Sequence, residues 1–213
     1  MHPPAGPRDE TQHMKIVRPE LPAGWQAALA AEAIAELDVR RARSRWLEAL
    51  SQSPDDAHLL AGYATFLTDH GQDAADAEQL YRLALRHRPS DSAIATNFAR
   101  HLLSEGSNPE GQQQLAAALA LVLAETAPKP EVLAELMFYL LAHDRSRGGV
   151  ALSNLKRLIR LGARSPGWNF EPTIHRAQDE HHPELALLRD IAKVLAHGAD
   201  PSELEAHVAW RQS

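Results

Sequence analysis

Apolar residues recur along most of this chain in steps of three and four, the spacing of one face of an α-helix. Leu133, Leu136, Met137, Leu140 and Leu141 form one such stripe, and Leu152, Leu155, Leu158 and Ile159 form another. Combined with the turn residues, the pattern predicts four helix pairs: 23–35 with 38–52, 56–70 with 73–87, 91–104 with 109–126, and 130–143 with 148–161. The stops have physical causes. Gly71 and Gly106 can take the left-handed conformation that ends a helix, and Pro54, Pro89 and Pro128 cannot continue one. Asp55 or Asp56, and Ser90 or Asp91, are N-cap candidates, because a short side-chain oxygen can accept the unbonded N–H groups of a first turn. The connections are short, which forces neighbouring helices antiparallel.

The rhythm breaks at 163–182 (ARSPGWNFEPTIHRAQDEHH), where Pro166, Gly167 and Pro172 leave room for one short helix near 173–179. A further helix is expected over 183–197, stopped by Gly198, with Leu185, Leu188, Ala192 and Leu195 as its buried stripe. Asp200 and Pro201 supply an N-cap and a first-turn proline for a last helix reaching Trp210. At the other end, residues 1–20 are broken by Pro3, Pro4, Pro7 and Pro19 and read as a disordered leader without the apolar core of a signal peptide. Met14 is an alternative start within it. The organisation read from the chain is therefore a leader over 1–20, helical pairs over 21–162, and an irregular segment with capping helices over 163–213.

Composition narrows the classes of function. Apolar residues make up 44% of the chain and charged residues 23%, so a core can form without cross-links. Ala and Leu dominate and β-branched residues are sparse, which favours close-packed helices over sheet. A formal net charge of −6 argues against a nucleic-acid partner, which calls for a basic surplus. The local run Arg40, Arg41, Arg43 and Arg45 lies among Glu36, Asp38 and Glu48 and reads as a salt-bridged, solvated helix face. Cysteine is absent, which excludes disulfides, thiol catalysis and Cys-ligated zinc and fits a reducing compartment. The longest apolar run, 115–124 (LAAALALVLA), is about half the length of a membrane span, and its composition predicts burial on several sides. The chain reads as cytoplasmic, with no membrane partner.

The first two pairs repeat at an offset of 35 residues: Ala42 maps to Ala77, Trp46 to Tyr81, Ala49 to Ala84, Leu50 to Leu85 and Pro54 to Pro89. A small residue lets the second helix of a hairpin touch the first, a large ring fills the gap one turn on, another Ala admits the next hairpin, and Pro ends the helix. First helices follow the same offset: Tyr63–Ala64–Thr65–Phe66–Leu67 maps onto Phe98–Ala99–Arg100–His101–Leu102, and Gly71 onto Gly106. Such self-similarity marks a helical repeat array. The chain resembles tetratricopeptide repeat proteins, best over 56–90, where AEQLYRLALRHRP is similar to the family's second helix and closing proline. Residues 38–55 resemble another second helix, with Trp25 near the large position of its first helix. The resemblance weakens later. Spacing from Pro89 to Pro128 grows to 39, so residues are inserted around 108–114, and the fourth pair keeps the periodicity but few family residues.

The resemblance implies an all-α, right-handed superhelical solenoid of antiparallel helix pairs whose concave groove is lined by first helices. It places groove positions at His58, Thr65 and Asp69 in one repeat and at Thr96, Asn97, Arg100 and Ser104 in the next. Asn97 and Arg100 lie three apart and share a helix face. An Asn amide can pair with an extended peptide backbone and an Arg with a carboxylate, while the plainer reading makes both ordinary surface residues. Family members that capture a chaperone's C-terminal carboxylate use Lys and Asn where Ala61 and Thr65 stand here, so that ligand is not expected.

Other candidates are weighed against simpler readings. Trp168, in SPGWNF, is a possible hydrophobic anchor for a partner, but packing across the end of the array with Phe170 is favoured. His175, Asp179, His181 and His182 cluster among 12 histidines, but without a recognised metal motif they read as a polar loop, and no metal or cofactor is expected. His70, His87 and His101 fall near helix C-termini, where they complement the dipole. Ser153 and Ser165 lack recognisable His and Asp partners, and Gly148–Gly149 reads as a turn before a helix.

The function expected is a non-enzymatic module or adaptor that binds a protein or peptide partner in a preformed groove, as a monomer or weak homodimer. Two alternatives stand beside it. One is a dedicated chaperone or immunity-type protein for a single client, which a broad apolar concave face would favour. The other is a metal-dependent enzyme built on the histidine-rich segment.

Overall fold

The structure, a computed structural model, describes residues 23–35, 38–71, 73–104, 109–166 and 168–213. The expected leader, the breakers Gly106 and Gly167, the start of the insertion at Asn108 and the side chain of Trp25 lie outside the described residues. Helix α1 spans Ala23–Ala35, α2 Val39–Gln52, α3 Ala57–Asp69, α4 Ala74–His87, α5 Ser92–Ser104, α6 Pro109–Ala124, α7 Pro130–His143 and α8 Gly148–Arg160. After these come α9 (Glu171–Asp179), α10 (Leu185–His197), a 3-10 turn (Pro201–Ala206) and α11 (Val208–Gln212). The described residues are all-α.

The boundaries follow from local chemistry. Asp56 Oδ1 accepts from His58 N and Leu59 N at 2.9 and 3.1 Å, and Asp91 Oδ1 accepts from Ile94 N at 3.1 Å. Of the paired candidates for each start, the residue adjoining the helix is thus the cap. Asp38 and Asp200 act likewise, accepting from Arg41 N and Ser202 N. Gly71 and Gly198 take the left-handed conformation, with φ of +60° and +69°. Gly148 and Gly149 belong to the first turn of α8 instead of preceding it.

The expected last helix is broken at His207 into a 3-10 turn and α11. Leu204 and Trp210 are both buried, yet a continuous α-helix would set residues six apart about 120° from each other around its axis. Breaking the helix lets both face inward.

Helices pair in sequence as α1 with α2, α3 with α4, α5 with α6 and α7 with α8, while the first helices touch one another through α3–α5 and α5–α7. The repeated alanines do what their size allows: Ala42, Ala49, Ala77 and Ala84 are all 0% exposed. In α3, a Cβ on Gly62 would stand 2.8 Å from the Trp46 ring of α2, so only glycine leaves room for that ring. Two buried clusters result, one running from α1 to α5 and one from α5 to α11. Helix α5 serves both, with Ile94, Phe98 and Leu102 in the first and Ala95, Ala99 and Leu103 in the second.

Three expectations change here. Helix α6 is not buried on several sides: Leu115, Ala118 and Val122 face the core, while Leu123 is 63% exposed. In α10 the buried set is Leu187, Leu188, Ile191, Ala192, Val194 and Leu195, with Leu185 only partly covered, so the stripe is wider and rotated. The segment with Trp168 and Phe170 does not cross the end of the array. It lies on the row of first helices, where α9 packs against both α5 and α7. Among the described residues, no helix is long and apolar enough to cross a membrane.

Candidate functional site

The row of first helices α3, α5 and α7 carries a band of polar side chains. At its centre is Arg100, only 2% exposed although it was expected to face solvent. Its Nη1 donates to Asp69 Oδ1 at 2.5 Å across the α3–α5 contact. The Trp168 ring lies over the guanidinium, 4.9 Å from its carbon, and shields it from solvent. Nε and Nη2 are buried without hydrogen-bond partners. Burial works against the charge, but the carboxylate of Asp69 favours it, and the pKa is raised. The Tyr81 and Tyr139 phenols are themselves held neutral by burial, so Asp69 is the counter-ion.

Around Arg100 the contacts form a continuous set. Trp168 Nε1 donates to the Tyr139 hydroxyl at 2.5 Å, and Phe170 packs at a tilt against Phe138 with centroids 4.5 Å apart. The Tyr81 hydroxyl shares a 2.9 Å hydrogen bond with Thr65, and Asn97 Nδ2 reaches Thr65 Oγ1 at 3.5 Å. Thr68 bonds the Nδ1 of His101 at 3.0 Å. His101 lies in the last turn of α5, as its position suggested, and is also an interior hydrogen-bonding group. Behind Arg100, Ser165 donates to the buried carboxyl of Glu135. Burial pushes Glu135 up to about 7, against the opposing effects of the Ser165 hydrogen bond and the Arg100 charge.

The seven expected groove residues thus divide. Asn97, Thr65 and Asp69 come together and remain partly exposed. His58 is exposed at the start of α3, with Nε2 3.7 Å from Asp91. Ser104 is half-buried and bonds back to the His101 carbonyl. Arg100 and Thr96 are interior, Thr96 bonding to the Ser92 carbonyl. Trp168 is half-buried, and both its ring face and its N–H are already engaged within the chain.

Tyr81, Tyr139, Glu135 and Ser165 were not singled out as a group from sequence. One signal for them was legible: Glu135 interrupts an otherwise apolar stretch, VLAELMFYLLA, and so had to be buried or to break the stripe. Ser165, 30 residues on, had none.

The histidine-rich segment is partly helical, extending the expected short helix to Glu171–Asp179. His175 lies 3.7 Å from Glu171 on an exposed turn. His182 donates through Nε2 to the Leu141 carbonyl and accepts at Nδ1 from Glu184 N, which leaves neither nitrogen for a metal. Among the described residues, no group of three His, Asp or Glu is placed to hold a metal ion. The basic face of α2 is partly neutralised, with Arg45 bonded to Glu48 at 2.9 Å and Arg43 to Asp73 at 2.7 Å. No protein-family model matches the chain, and no curated protein matches it.

Proposed function

We infer that this chain is a tetratricopeptide-like binding module, and that it holds an extended segment of a protein partner on the open half of its inner helix row. The observation that carries this reading is the in-register burial of Ala42, Ala49, Ala77 and Ala84, which stacks two hairpins in the same way and sets α3 and α5 side by side. Stacking of this kind produces the superhelical solenoid of the family and a preformed surface, which lowers the ordering cost of binding. On that surface Thr65, Asn97, Asp69 and His58 offer hydrogen-bonding groups suited to a peptide backbone and its polar side chains. The half over α5 and α7 is already occupied by Trp168 and α9. The polar character of the open half favours a peptide reader over a cover for an apolar client.

The test is affinity capture from native lysate with wild type and a Thr65→Arg/Asn97→Arg variant, with circular dichroism to check the fold. A stoichiometric partner lost from the folded variant supports the site. Retention of the partner by the variant moves it elsewhere. Arg100→Glu is not suitable as a probe, since it places a carboxylate in the interior beside Asp69.

A further inference from the structure

The outer face of the third and fourth hairpins has a groove whose chemistry the inner row does not share. Helices α6 and α8 form its walls and α7 its floor, enclosing about 220 Å³. Leu119, Leu123, Leu133, Met137 and Val150 line it, and two of these project into solvent, Leu123 at 63% and Val150 at 66% exposure. Arg147 and Arg157 are the charged residues of the lining. Arg147 precedes the first turn of α8 and Arg157 lies in its last turn, so ten residues separate them, about 15 Å along the helix axis.

Charge sets this groove apart from its counterpart one hairpin pair earlier. Between α2 and α4, the equivalent outer groove holds Arg43, Arg82 and Arg86 with Asp76, and Arg43 and Arg82 are paired to Asp73, Glu78 and Glu110. At the α6–α8 groove, Arg157 is exposed and makes no ion pair among the described residues, while Arg147 pairs at 2.6 Å with the half-buried Asp144 on its own turn. From 145 to 170 the chain has six cations and no carboxylate; Arg147 and Arg157 are the two that line the groove, while Arg160 pairs with Glu205 and Lys156 bonds the Trp210 carbonyl. An apolar trough edged by the unpaired Arg157 and by Arg147, which shares its charge with Asp144, is complementary to an apolar stripe edged by carboxylates.

We propose that the α6–α8 groove is a second docking site, and that its occupant is an acidic amphipathic helix of a partner protein. Leucine-type side chains at i, i+3 or i+4 and i+7 of the partner fill the trough over Leu123 and Val150. Its carboxylates meet Arg157 and Arg147. A concave trough with a cation towards each end favours a helix over a flat anionic membrane, which needs a convex apolar face with basic flanks. The site is independent of the inner row, and partners at both would be held at once.

The experiment uses the full chain and a fluorescein-labelled peptide of about 16 residues, long enough for four helical turns, with leucines at helical spacing and glutamates elsewhere. Fluorescence anisotropy is compared with the same peptide carrying lysines in place of the glutamates. Leu123→Glu and Arg157→Glu each weaken binding of the acidic peptide at least tenfold. Val150→Ala, a substitution on the exposed face that keeps α8 intact, weakens it about threefold. Leu47→Glu, in the α2–α4 groove, leaves it unchanged. The proposal is overturned by any of three results: no binding of the acidic peptide at about 0.1 mM, equal binding of the lysine peptide, or insensitivity to Leu123→Glu and Arg157→Glu. Competition by anionic phospholipid vesicles stronger than by the unlabelled peptide overturns it as well, in favour of a lipid surface.

Discussion

At the scale of single residues, two close approaches stand out, one between α2 and α3 and one between α3 and α5. Gly62 is small because the Trp46 ring occupies the place of its Cβ. Alanine there gains about 1 kcal/mol of helix propensity but overpacks against a rigid ring, at a cost of about 1–3 kcal/mol. Gly62→Ala is therefore expected to destabilise the wild-type chain by about 1 kcal/mol. In a Trp46→Leu background the same change is expected to stabilise, and urea unfolding of the four chains reads the change of sign. The Arg100–Asp69 pair is asymmetric in a different way, since Arg100 is interior while Asp69 retains contact with solvent. Asp69→Ala leaves a buried cation without its counter-ion and is expected to cost about 3 kcal/mol. Arg100→Met leaves a carboxylate that water can reach and removes two unbonded nitrogens, so its cost should be the smaller of the two. Equal losses in denaturant titrations would show that Asp69 does not stabilise the fold by neutralising Arg100.

At the scale of elements, the helix starts differ in what their aspartates do. Asp56 caps α3 through two N–H groups, whereas Asp73 precedes α4 in a left-handed conformation, φ +40°, and makes no side-chain cap bond. Asp56→Ala is expected to cost about 1 kcal/mol. Asp73→Gly relieves the backbone and loses only an exposed ion pair with Arg43, so thermal unfolding should show no loss of stability. Both aspartates sit where a reader of sequence would place a cap. The difference between them is a dihedral angle set by how α3 and α4 are joined. Helices α6 and α10 teach a related lesson: their composition announced burial, but the number of covered sides depended on which neighbours arrived.

For the whole molecule, two buried titratable groups oppose each other. Glu135 is raised from 4.5 to about 7, so its contribution is fully present below pH 4.5 and is lost as pH rises to about 7. His143 is buried with both ring nitrogens unpaired and is lowered from 6.5 to about 4. Its contribution is present above pH 6.5 and is lost as pH falls towards 4. Between about pH 4.5 and 6.5 the two slopes cancel, each being at most about 1.4 kcal/mol per pH unit. Relative to wild type, Glu135→Gln is expected to make stability rise with pH across that window, and His143→Leu to make it fall. Urea midpoints at several pH values check both, and parallel curves for all three chains would show that neither group is perturbed.

The sequence by itself determined the helices, their order and most of their ends, because three- and four-residue apolar steps, prolines and N-cap aspartates act through neighbours in the chain. It also determined the hairpin contacts made by Ala42, Ala77, Trp46 and Tyr81, because a fixed offset repeats one local packing solution. Tertiary structure alone decided that Trp168 lies on Arg100, that Ser165 meets Glu135, that Thr96 and Arg100 are interior, and that Leu123 and Val150 face solvent. The first two join residues 68 and 30 positions apart, and no spacing rule encodes such separations. Burial of a given helix face, likewise, is a property of the neighbours that cover it, and the irregular segment that covers the α5–α7 half of the inner row has no periodicity to announce where it will lie.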